Sequence, residues 1–258
     1  MGIETLTGID LVVLLVAALV AGALDASVGS GGAVLLPALI GVSPAGVSAG
    51  VPLVVNKSVA VIGNLIAAHR YRTPGTGLGA KLLAVTFGCA LAGVLCGVWI
   101  ATLINVGQLS WIAAAALTVL GVTLLVRGLR AGSASARPVR PHPRAVPVTV
   151  GGIAVYDGMI GPATGSLLQL AFQRLLARPV HECLALARLV QALLNLAAAI
   201  VLWIVTVPDL RLVVLLAGLH ALGGWVGAGI TRRIPATVLH YLLIGCIAVS
   251  VLRMLLVR

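Results

Sequence analysis

The chain has 258 residues, 60% of them hydrophobic and 9% charged, with a mean hydropathy of +1.17 and a formal net charge of +11. Ordinary soluble domains carry roughly 25% charged residues. The composition therefore excludes a water-soluble globular domain and predicts a polytopic membrane protein, with about eight to ten helical segments at 20 residues per full span. The positive charge does not read as nucleic-acid binding, because the basic residues sit mostly in short loops between apolar runs, where the positive-inside rule places them.

Segment one runs from about Leu6 to Leu24 and ends at a polar, glycine-rich break beginning Asp25-Ala-Ser-Val-Gly-Ser-Gly-Gly32. No basic residue precedes it and no convincing cleavage site follows, so it reads as retained rather than removed as a signal peptide. Segment two, about Ser30 to Ile40, is too short for a full span and is closed by Gly41-Val-Ser-Pro44. Segment three continues to about Arg72 with Pro52, Asn56, Lys57 and Asn64 embedded in it. Segment four covers about Gly79 to Ile104. Segment five covers about Gln108 to Leu129 and sets Trp111 near an interface.

The stretch 130–147 breaks this pattern with Arg130, Arg137, Arg140, His142, Arg144 and prolines at 138, 141, 143 and 147. It reads as a basic, solvated cytoplasmic linker between a first transmembrane repeat, 1–129, and a second, 148–258. In the second, an apolar run from Val148 ends in Asp157-Gly-Met-Ile-Gly-Pro-Ala-Thr-Gly-Ser166, and a short segment follows from Ala163 to Leu176. Three longer segments complete it, at about Pro179 to Val205, Leu210 to Ile230 and Pro235 to Leu256.

The two breaks are related by position. The spacing that separates Asp25 from Asp157 also separates Gly29 from Gly161 and Leu35-Leu36 from Leu167-Leu168. In transporters built from repeats, interrupted segments at matched positions mark the substrate site. Basic clusters at His69-Arg70-Tyr71-Arg72, in the linker, at Arg174 and Arg178 and at Arg232-Arg233 place those loops in the cytoplasm. If each broken pair enters and leaves on one side, every half makes three further crossings. The halves then have opposite orientation, an inverted repeat with both termini outside. The expected fold is thus all-α, with two repeats each made of a broken-helix hairpin and three transmembrane helices. Stripes of small residues would serve a homodimer or intramolecular packing equally.

Lys57 lies mid-segment among apolar residues, where a cation costs about 3 kcal/mol or more unless it meets a cavity, a partner or an anion. Arg188 holds the equivalent place in the second half. The spacing from Lys57 to Asn64 is repeated from Arg188 to Asn195, close to two helical turns, so each cation shares a face with its asparagine. This is the pattern of a two-fold anion site; the alternatives are structural ion pairs with Asp25 and Asp157, or snorkelling side chains. The glycines Gly29, Gly31, Gly32, Gly161 and Gly165 let an anion approach the backbone at a half-helix N-terminus, with Ser30, Thr164 and Ser166 adding hydroxyls and Gln191 an amide. Asp25 and Asp157 would repel an anion; they cap the half-helices, balance the cations or carry a coupling proton. His69, His181, His220 and His240 show no metal-ligand spacing and read as loop, interface or packing residues, while Glu182 faces the cytoplasmic loop. Cys89, Cys96, Cys183 and Cys246 read as free, packed thiols.

Asp25 to Leu39, followed by Asn56-Lys57 and Asn64, resembles the first-repeat signature of the TauE/SafE-type sulfite exporter family. Tyr156-Asp157-Gly158 with Gly161-Pro-Ala-Thr-Gly-Ser166 resembles its second. The resemblance covers essentially the whole chain. It implies a multi-pass transporter of the bacterial inner membrane that exports sulfite, sulfonates or related small anions, with no cofactor. Two positions depart from the pattern. Ala187 and Arg188 stand where the first half has Asn56 and Lys57, and Ala163 stands where the family often has glycine. Two rivals remain: a proton- or cation-coupled carrier using Asp25 and Asp157, and an integral-membrane enzyme. The enzyme would need a nucleophile–base pair or metal ligands at membrane depth, and the sequence offers no HExxH and no cluster of histidine with aspartate.

Overall fold

The computed structural model describes residues 4, 6–44, 46–71, 79–130, 141–178, 180–230 and 236–256. Arg72, linker residues 131–140, Pro179, Arg232, Arg233, Pro235 and Arg258 lie outside the described residues, as do the side chains of Arg130, His181, His240 and Arg253. Several of the basic residues that set the expected orientation are among these positions.

Among the described residues the chain forms ten α-helices: α1 (Gly8–Val28), α2 (Gly32–Gly41), α3 (Gly50–Tyr71), α4 (Ala80–Thr102), α5 (Val106–Arg130), α6 (Val146–Met159), α7 (Thr164–Leu176), α8 (Val180–Val205), α9 (Leu210–Ile230) and α10 (Ala236–Leu256). A short 3-10 turn, Pro143–Ala145, precedes α6, and an isolated antiparallel bridge pairs Ser48 with Asn105. Six of the helices (α1, α3, α4, α5, α8 and α9) are long and apolar enough to cross a membrane. Ile9, Val119, Ile204 and Val207 point outward at 67% exposure or more, an apolar surface that suits lipid rather than water.

Local chemistry sets the ends of these helices. Thr7 and Asp10 form a reciprocal capping box that starts α1. Asn105 and Gln108 exchange side-chain to backbone bonds of 2.9 and 3.0 Å at the start of α5. Gly29, in the left-handed region at φ 76°, ends α1 one turn past Asp25. Both aspartates therefore sit in the last turn of a helix rather than in the break itself. The first helices of the two halves differ: α1 has 21 residues and α6 has 14, with Pro143 opening the turn before α6 and Pro147 tolerated in its first turn.

Packing pairs the halves. α3 lies along α8, α4 along α6, α1 along α9 and α5 along α10. Glycine makes two of these contacts possible. A Cβ on Gly93 or Gly97 of α4 would overlap the carbonyl oxygen of Gly151 or Val155 on α6. A Cβ on Gly223 or Gly227 of α9 would overlap Leu19 or Ala23 on α1. The spacing from Leu19 to Gly151 is the spacing from Ala23 to Val155 and from Asp25 to Asp157. Both contacts thus use a Gly-x-x-x-Gly stripe on a fourth helix against corresponding carbonyls on a first helix.

These contacts set a packing test. Gly97→Leu and Gly227→Leu should each lower stability by about 1–3 kcal/mol or prevent assembly, since backbone blocks the added atoms. Gly152→Leu, with open space around its Cβ position, should leave the melting temperature in detergent near wild type. Equal melting temperatures for all three would contradict this packing.

Candidate functional site

The two glycine-rich breaks meet. The hydroxyl oxygens of Ser30 and Ser166 are 2.9 Å apart, and Ser166 donates to the carbonyl of Val28 at 2.5 Å. A hydroxyl has one hydrogen, so Ser30 is the donor in the Ser30–Ser166 bond. Thr164 donates to the carbonyl of Gly161 at 2.8 Å. The hydroxyl protons expected to meet an anion are therefore committed elsewhere: Ser30 and Ser166 tie the two breaks together, and Thr164 closes the second break on itself. A Cβ on Gly165 would come within 2.8 Å of the Gly29 carbonyl, and one on Gly32 within 3.7 Å of the Gly161 carbonyl. At Gly165 only a residue without a side chain lets the chains cross this closely, whereas a Cβ at Gly32 would make an ordinary contact.

Four charged side chains are buried beside the crossing, each 1% exposed or less: Asp25, Lys57, Asp157 and Arg188. Lys57, from α3, places Nζ 2.7 Å from Asp157 Oδ2 on α6. The ion pair thus joins the first half to the second, and this cation is already balanced. Asp25 is held by several donors. Its Oδ1 accepts from the Gly31 backbone N–H at 2.7 Å, at the entry to α2, and its Oδ2 lies 3.4 Å from Asn64 Nδ2 and 3.2 Å from His220 Nε2. Sequence reasoning placed His220 among packing residues. Its signal was an ionisable ring in the middle of an apolar helix.

Arg188 differs from the other three. Its Nη1 donates to Gln191 Oε1 at 3.0 Å, while Nε and Nη2 have no hydrogen-bond partner. No carboxylate among the described residues lies within ion-pair distance of it. Burial strips it of water, and the carboxylate whose charge reaches it most strongly is Asp25. Its guanidinium fills the space left by two glycines, for a Cβ on Gly29 or Gly165 would overlap Nη1. Nε and Nη2 share one edge of the guanidinium and point two parallel N–H bonds outward, the fork that an oxyanion accepts in bidentate fashion. Asn195 is buried further along α8, but no hydrogen bond among the described residues ties its side chain to this group.

One backbone feature bears on the second break. Ala163, the residue before α7, sits in the left-handed region at φ 63°. A side chain there costs roughly 1–2 kcal/mol relative to glycine. Gly46-Val-Ser-Ala-Gly50 has the spacing of a nucleophile elbow. Ser48 instead lies in the loop paired with Asn105, its hydroxyl accepting from the Gly50 N–H at 3.2 Å, and no histidine or carboxylate among the described residues bonds to it.

Two stability measurements test this geometry. Lys57→Met should cost about 3–5 kcal/mol by stranding Asp157, and the double variant Lys57→Met/Asp157→Leu should recover most of it, because a buried pair replaced whole is far cheaper than one broken. Ala163→Gly should raise stability by about 1 kcal/mol by relieving the left-handed alanine. Thermal melts in one detergent check both, and additive losses in the double variant would show that the two side chains do not interact.

The comparisons with known proteins are decisive on family. The chain matches no curated protein and no solved structure closely enough to count as a relative. A family model described as "Sulfite exporter TauE/SafE" matches residues 14–254, nearly the whole chain and both breaks. With its apolar spanning helices and buried polar crossing, the chain belongs to the TauE/SafE sulfite exporter family, a family of membrane transporters.

Proposed function

We propose that this protein exports a small sulfur-containing oxyanion, of sulfite or sulfonate type, across a bacterial inner membrane. The anion binds at the fork of Arg188, where the breaks between α1 and α2 and between α6 and α7 cross. The single observation that carries this reading is the pair of buried, unpartnered donors Nε and Nη2. A buried donor without a partner costs about 1–3 kcal/mol, more for a charged group. An oxyanion removes that cost by giving both donors an acceptor, in direct contact with a guanidinium that no carboxylate among the described residues touches.

The remaining residues take supporting roles. Gln191 fixes the guanidinium from its other edge. Gly29, Gly165, Gly31, Gly32 and Gly161 keep the backbone clear at the crossing. Ser30 and Ser166 hold the breaks together, Thr164 closes the second break on itself, and Asn64 and Asp25 brace the entry to α2. Lys57 and Asp157 pin one half to the other. Asn195 lines the same helix as Arg188 and meets the anion in another conformation of the carrier. Two repeats of opposite orientation, with the linker between them in the cytoplasm, would rock about this crossing to alternate access. The corresponding glycine contacts of α4 on α6 and of α9 on α1 support the repeat reading. The cation-carrier alternative has two unpartnered oxygens, Asp157 Oδ1 and Asn64 Oδ1, but the charge of Asp157 is balanced by Lys57 and Asp25 already faces three donors.

The test is a thermal-shift panel on purified protein with sulfite, thiosulfate, sulfoacetate, taurine, sulfate and simple carboxylates. A site filled at about a hundred times its dissociation constant stabilises the fold by roughly 2.7 kcal/mol. Stabilisation by a sulfur oxyanion, lost in Arg188→Gln and retained in the Lys57→Met/Asp157→Leu double variant, is the expected result. Stabilisation that survives Arg188→Gln would refute the assignment of the anion to this side chain.

A further inference from the structure

One buried ionisable group beside the crossing has no part in the anion reading. His220, on α9, is 1% exposed, and its Nε2 faces Asp25 Oδ2 at 3.2 Å. An ionised carboxylate only accepts hydrogen bonds, so Nε2 carries a hydrogen, and in the neutral ring the free lone pair belongs to Nδ1. Nδ1 is sealed from solvent without a partner. It points at Gly63 on α3, where a Cβ would overlap it, so the space beside this nitrogen exists because position 63 has no side chain.

The charges around His220 make that lone pair consequential. From α1 the facing group is Asp25. From α3 they are Asn64, which also reaches Asp25, and Lys57, which is held by Asp157. Tyr71 is buried further along α3, and Arg70 lies over the ring of Trp225 on α9. On α9 itself Arg211 is exposed near the first turn. In the buried crossing, two carboxylates and two cations cancel while His220 is neutral. A monoanion at Arg188 therefore leaves the dehydrated interior with one uncompensated negative charge, which a low-dielectric surrounding strongly disfavours. Asp25 links the two positions: its charge is the one that acts most on Arg188, and its Oδ2 holds the imidazole.

We propose that Nδ1 of His220 is a proton-binding site coupled to the anion site, taking one proton from water with each monoanion bound and returning it to water when the anion leaves. This inference rests on the anion reading above and adds the coupled ion. Histidine is the side chain suited to it, since its charge changes near neutral pH. The loaded interior is then as neutral as the empty one, and the membrane potential does not act on the loaded carrier.

The experiment is calorimetric titration of the full-length protein in detergent with methanesulfonate, a monoanion with no titratable proton near neutrality. Titration in buffers of different ionisation enthalpy counts the protons taken up. Wild type should take up about one proton per anion bound and, over the pH range where it does so, lose affinity about tenfold per pH unit. His220→Gln keeps an amide donor for Asp25 and should bind with no proton uptake and no pH dependence. Binding by wild type without proton uptake would overturn the proposal on its own, whether or not the variant folds, and so would full uptake persisting in His220→Gln. If wild type binds neither methanesulfonate nor sulfite, the anion reading falls first and this inference with it.

Discussion

A guanidinium with no counter-carboxylate, shut away from water inside a helix bundle, is the constraint on which the rest of this structure depends. An isolated buried charge costs far more than a single packing contact returns. Arg188 is 0% exposed and keeps its charge through neighbours that compensate it only in part. Gln191 takes one N–H, and the carbonyl end of α1 lies against the guanidinium at Gly29. The N-terminal turn of α7, at Gly165, lies on it as well. That turn has the opposite polarity: it opposes a cation and favours whatever anion the cation binds. The site is thus arranged for an oxyanion before one arrives.

The other buried charges follow from that arrangement. Had Lys57 also been left bare, the crossing would hold two cations with no carboxylate in contact with either. Instead it meets Asp157 from the other half, so one ion pair serves as a tie between halves while one cation remains for binding. Asp25 anchors the opposite side through the entry to α2, Asn64 and His220. Glycine is what lets these elements approach. At Gly29 and Gly161 the backbone turns through positive φ, and at Gly165 any side chain would occupy the place of the guanidinium.

Much of this was legible in the sequence, for identifiable reasons. Membrane character follows from composition alone. The helices follow from long apolar runs broken by proline, glycine and charge, and α9 has the expected ends, Leu210 and Ile230. The matched spacing of the breaks and of Lys57–Asn64 with Arg188–Asn195 drew attention to the residues that the fold gathers, except that Asn195 bonds to none of them. What was not legible is three-dimensional partnership. Spacing along one helix shows that Lys57 and Arg188 hold equivalent places, but not that Asp157 reaches across to one and no carboxylate reaches the other. His220 lay in a plain apolar helix with no motif around it, and only the packing of α9 on α1 reveals its carboxylate. The hydroxyls of Ser30, Ser166 and Thr164 lie at the breaks, yet the protons of the two serines tie one break to the other and that of Thr164 closes the second break on itself.

The central claim is that the anion sits at the Nε–Nη2 edge of Arg188, and a structure of the protein soaked in selenite, a heavier analogue of sulfite, tests it most directly. The account predicts one anomalous selenium peak within the crossing, with selenite oxygens about 3 Å from both nitrogens. A peak beside Lys57, or occupancy confined to the surface arginines with the Arg188 edge still empty at saturating selenite, would contradict it.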